Sequence, residues 1–137
     1  MKTQLIFFDS IEESRKGTLR GLVAIVVLII LDLIWFQFMD YSPIITKKFN
    51  YLSAFITYGI MCSAIAVQLP NSVEEAMVYG ALLGFVIYGV FNGTSYTLNK
   101  NWTVKIALLD TIWGMIVMSA ASTVVYYVFH KDKKYEL

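Results

Sequence analysis

Two aspartates stand inside apolar runs, each three residues ahead of a tryptophan. Asp32 precedes Trp35 in Leu31-Asp32-Leu33-Ile34-Trp35, and Asp110 precedes Trp113 in Leu109-Asp110-Thr111-Ile112-Trp113. A spacing of three places carboxylate and indole on one face of a helix. A charged side chain deep in a membrane helix costs roughly 2.5–3.5 kcal/mol on insertion scales, so such residues mark an ion site, a proton path or a hydrogen-bonded knot. Two carboxylates brought close share a proton or hold a cation. Other chemistry finds little support. The chain has no Gly-x-Ser-x-Gly, His-Glu-x-x-His or phosphate loop, and Asp110-Thr111-Ile112 is a faint hint of an aspartyl dyad. His130 has no ligand partner beside it, and Cys62 has no second cysteine with which to pair. We therefore expect no enzyme, no cofactor and no metal centre.

The elements that carry these residues are membrane helices. Of 137 residues, 58% are hydrophobic and 15% charged, against about 25% charged in soluble domains. The mean hydropathy is +0.63. A net charge of +1 gives no argument for nucleic acid as a partner; the partner this composition demands is the lipid bilayer. The first apolar block begins near Leu19, behind Glu12, Glu13, Arg15 and Lys16, and no small-residue cleavage site follows it, unlike a secretory signal peptide.

We expect an all-α, integral membrane four-helix bundle. Residues 1–18 form an amphipathic lead with a capping box at Ser10 and Glu13, 19–129 a single four-helix transmembrane domain, and 130–137 a basic tail. Helix 1 is predicted over 19–38, with twelve Leu, Ile, Val or Phe residues between Leu22 and Phe36 to offset Asp32. Helix 2 is predicted over 50–69, ahead of Pro70. The short link at Asn71 and Ser72 predicts that helices 2 and 3 are antiparallel neighbours. Helix 3, over 73–96, opens on a capping box at Ser72 and Glu75 and carries the small-residue pairs Gly80/Gly84 and Gly89/Gly93. These suit packing within the chain better than a seam between copies, although a homo-oligomer stays open. Helix 4 is predicted over 103–129. Seven Lys or Arg residues flank the termini and four lie in the opposite loops, which predicts that both termini are cytoplasmic. The sequons at Asn92 and Asn101 lie in or against the membrane and should stay unused, and the terminal Lys134-Tyr135-Glu136-Leu137 is no retention signal.

Depth brings the polar residues together. Counting from the loops at ~1.5 Å per residue, Asp32 and Asp110 both lie ~12 Å below the outer surface, and Asn92 ~10 Å. We expect a polar or ion site in the outer half built on Asp32, Asn92 and Asp110. It is flanked by Trp35, Tyr58, Tyr88, Ser95 and Trp113 and binds or passes a small cation or proton. The alternative is a non-transporting scaffold or assembly protein whose polar cluster only fixes helix packing.

The same residues resemble those of the small membrane proteins grouped as domain of unknown function 2177. The resemblance rests on Leu31-Asp32 with Trp35, on Trp102, on Asp110-Thr111-Ile112-Trp113-Gly114 and on the middle stretch Tyr88-Gly89-Val90-Phe91-Asn92-Gly93-Thr94-Ser95. Asn92 stands where the family usually has an aspartate, and Ser95 where it has an asparagine. The resemblance implies a four-helix membrane fold over about residues 20–125 and brings no activity. Loss of one titratable group weakens any proton relay carried over from it. The host membrane is not implied.

Overall fold

The computed structural model describes residues 2–42, 44 and 48–130, with side chains from Ile11 onward. The basic tail after His130, Pro43, Lys47 and the side chains of the N-terminal Leu5–Ser10 stretch lie outside the described residues. Four helices account for most of the rest: α1 (Lys2–Trp35), α2 (Tyr51–Ala66), α3 (Val73–Leu98) and α4 (Val104–His130).

The lead and the first span are one continuous helix. With 34 residues, α1 is ~51 Å long, against ~30 Å of hydrocarbon. Its backbone is helical straight through residues 10–13, so no helix starts at Ser10. Beyond it Lys16 pairs with Glu12 at 3.1 Å and Glu13 at 3.9 Å, the i,i+4 and i,i+3 spacings that support an exposed helix. At the other end α1 finishes at Trp35, and Phe36 to Met39 turn out of it through bonds to Asp32, Ile34 and Trp35 carbonyls.

Asn50 caps α2, accepting from the Ser53 backbone N–H at 3.0 Å. The helix has 16 residues and ends at Ala66, three residues short of the expected limit. α3 begins as the sequence predicts, with Ser72 accepting from the Glu75 N–H; the Glu75 carboxylate reaches one residue further back, to Asn71. Ile11–Trp35, α3 and α4 are each long and apolar enough to cross a membrane; α2 is shorter.

The tightest packing is between α3 and α4, where glycine lets backbones meet. A Cβ on Gly80 would stand 2.5 Å from the Met118 carbonyl oxygen. One on Gly84 would run into the Gly114 backbone, and one on Gly114 into the Tyr88 ring. Gly93 faces open space, so the second small-residue pair is no seam within the chain. α1 lies against both α2 and α4, whereas α2 and α3 scarcely meet. The expectation that a short link makes them packed neighbours is thus corrected. The buried face of α2 (Met61, Cys62 and Ile65) joins Ala24 and Leu28 of α1 and Val117, Met118, Ala121 and Val125 of α4 in one core. The flat face of α3 is occupied by α4. A gap is left between α2 and α3. Elsewhere large apolar side chains point outward, among them Leu33, Ile60, Leu82 and Ile116, as a lipid-facing surface does.

Candidate functional site

Asp32, Asn92 and Asp110 are all buried, and they come together near the end of the molecule that carries the α1–α2 and α3–α4 loops. The two Asp-x-x-Trp segments cross. Trp113 of α4 donates its indole N–H to Asp32 Oδ1 of α1 at 2.9 Å. Trp35 of α1 donates to the Tyr41 hydroxyl at 2.9 Å, and that hydroxyl donates to Asp110 Oδ1 of α4 at 2.7 Å. The two indoles stack with centroids 4.7 Å apart and planes within 3° of parallel. Each motif therefore supplies a donor for the other's carboxylate, one directly and one through Tyr41.

Further donors complete both carboxylates. Tyr58 of α2 donates to Asp32 Oδ2 at 2.5 Å. Asn92 of α3 donates its amide to Asp110 Oδ2 and to the Tyr88 carbonyl, each at 2.8 Å, and accepts from the Trp102 indole at 3.1 Å. Since an indole can only donate, the Asn92 oxygen must face Trp102 and its nitrogen Asp110. Asp32 and Asp110 thus each accept two hydrogen bonds. An ionised carboxylate has about four acceptor positions, so each retains capacity.

Both carboxylates border a cavity of about 740 Å³. It lies in the gap between α2 and α3, bordered by Met39 to Ser42, Ile44 and Phe49 of the α1–α2 connection, with Thr57, Tyr58 and Met61 on one side and Ile87, Tyr88 and Phe91 on the other. All three tryptophans of the chain line it. No Lys, Arg or His stands among its described lining residues. At the mouth, hydrogen bonds from the Ser42 side chain and backbone hold the Asp40 carboxyl below the usual carboxylate range. Burial pushes the Tyr41 hydroxyl above the usual tyrosine range, and its bond to Asp110 adds to the shift. Beneath the cavity the molecule is closed by packed side chains, Leu28, Cys62, Ile65, Val117 and Met118, all nearly or fully inaccessible.

Among the expected flanking residues, Trp35, Tyr58, Tyr88 and Trp113 line the cavity. Ser95 does not; its carbonyl accepts from Asn99 at the end of α3. Asn92 sits behind Asp110, off the cavity wall. Two participants escaped sequence reasoning. Tyr41 lies in a loop that depth counting places at the surface, yet it folds back onto Asp110. Trp102 was legible only as a family position; it is buried and holds Asn92. The one available signal was that both are amphipathic aromatics at the membrane boundary. Among the described residues no group of three or more His, Cys, Asp or Glu residues is placed to hold a metal.

The sequence profile of one family, described as predicted membrane protein (DUF2177), matches residues 19–127. No curated protein and no solved structure matches the chain. The match covers most of the chain, including all four helices' contributions to the cluster. The chain belongs to this membrane protein family.

Proposed function

We propose that this member of the DUF2177 family binds a small cation or proton at the Asp32–Asp110 pair. The site opens on the non-cytoplasmic side, with both termini in the cytoplasm. The observation that carries this is the cavity: it brings two carboxylates to a common space among whose described lining residues there is no basic side chain. Two buried acids without a basic partner are protonated, solvated through the cavity or paired with a cation, because an unpaired ion in a low-dielectric setting is strongly disfavoured. Asp40 at the mouth adds attraction for cations. The site is complete within one chain, so binding requires no second copy. We read it as a binding centre and not a catalytic one, in keeping with a sequence whose only catalytic hint is the faint aspartyl dyad. Passage across the membrane would require the layer beneath, from Leu28 to Met118, to part.

The scaffold alternative has one observation in its favour: each carboxylate already accepts hydrogen bonds from two other segments. A knot of that kind has no need of an adjoining space of about 740 Å³. The test compares wild type with Asp110→Asn in nanodiscs, following thermal stability from pH 5 to 8 in sodium, potassium and a bulky-cation buffer. Cation binding predicts that wild-type stability depends on pH or cation and that the dependence is lost in Asp110→Asn. Equal, flat behaviour of both proteins would favour the scaffold.

A further inference from the structure

The cavity says more about its ligand than charge. A proton or bare alkali ion would fill a small part of about 740 Å³, a volume within the ~300–1,000 Å³ range of pockets for drug-sized molecules. Aromatic side chains line the same space as its carboxylates: Trp35, Tyr58, Tyr88 and Trp113, with Phe49 and Phe91. Cationic nitrogen is attracted both to carboxylate and to the face of an aromatic ring. An apolar body gains by leaving water for such walls. Anions meet two carboxylates and find no described basic side chain.

The mouth has a direction as well. Thr57 on α2 and Phe91 on α3 both line the cavity and are both exposed, and α2 and α3 scarcely touch between them. Close by in sequence, Ile56 and Ile60 of α2 and Val90 of α3 are 52%, 66% and 66% exposed. Apolar surface of that kind belongs in lipid, which fits a gap that opens sideways into the bilayer.

We propose that the cavity takes a lipophilic organic cation, an ammonium on an apolar body, from the bilayer through the gap between α2 and α3. This rests on the cation-binding role proposed above and specifies its ligand. The cationic head would sit by Asp32 and Asp110, and the apolar body would lie along the rings toward the gap.

Because all three tryptophans line the cavity, intrinsic emission reports its occupancy. The experiment uses phosphatidylcholine nanodiscs, corrected with empty discs, and titrates octyltrimethylammonium, tetramethylammonium, octanol, octanesulfonate and sodium. The expected result is a saturable change with octyltrimethylammonium at a concentration at least tenfold below that needed with tetramethylammonium, and none with octanol or octanesulfonate. Thr57→Phe, a change at an exposed position, should weaken octyltrimethylammonium at least tenfold. It should leave the unliganded melting temperature unchanged. Equal binding of the octyl and tetramethyl cations, or indifference to Thr57→Phe, would overturn the lipophilic, lateral site while leaving cation binding standing. No response to any cation, sodium included, would overturn both.

Discussion

Asp110 accepts from Tyr41 in the α1–α2 loop and from Asn92 in α3, and the two obvious substitutions separate its charge from its bonding. In Asp110→Asn the amide oxygen can keep Asn92, while the amide nitrogen donates to the Tyr41 hydroxyl, whose own proton turns into the cavity that Tyr41 lines. This change should lower stability by no more than about 1 kcal/mol. Asp110→Leu strands both donors, and each stranded buried donor costs about 1–3 kcal/mol; denaturant or thermal unfolding in mild detergent measures the difference. Tyr41 supplies a pH dependence. Its folded-state hydroxyl titrates above the ordinary tyrosine value, so its contribution is fully present below about pH 10 and is lost as the pH rises toward the folded value. Wild type should therefore lose more stability than Tyr41→Phe between pH 9.5 and 11.5. Parallel curves for the two would mean that the buried hydroxyl contributes nothing.

At the scale of helices, α3 and α4 are held by the absence of side chains. Gly84→Ala and Gly114→Ala each place a methyl where backbone or ring already stands, and forced overpacking costs typically about 1–3 kcal/mol. Gly93→Ala meets nothing within 4 Å and should be neutral or slightly stabilising, because alanine is the better helix former. Melting temperatures of the three variants decide this; a Gly84→Ala protein as stable as Gly93→Ala would refute the close contact. The Gly80/Gly84 face was legible because small residues four apart mark close-packed membrane helices. The partner of α2 was not. Link length limits how far apart two helix ends lie, but the buried faces choose the neighbours, and Met61, Cys62 and Ile65 turn toward α1 and α4. The continuity of α1 was missed for a related reason: a capping sequence signals a helix start only where the preceding residues leave the helix.

For the whole molecule, the meeting of Asp32, Asn92 and Asp110 was legible because helical rise is fixed and each lies within about two turns of a helix end on the same side of the bundle. The place of Tyr41 was not, since a loop has no such ruler and its route back into the bundle depends on tertiary contacts. The size of the cavity was equally hidden, being set by which helices fail to meet. The proposed orientation rests on the distribution of Lys and Arg and can be checked on the intact protein. Cys62 is 1% exposed, so added cysteines are read against a low background. Ser42→Cys and Asn99→Cys should react with an impermeant thiol reagent applied outside cells, and Asn71→Cys should not; the reverse pattern would place the cavity mouth on the cytoplasmic side. Cation binding at the carboxylate pair is tested most directly by tryptophan emission during a cation titration, because Trp35, Trp102 and Trp113 all border the same space. Binding predicts a saturable change in wild type that is absent from folded Asp110→Asn. Emission that stays constant in wild type, or changes identically in both proteins, would contradict it.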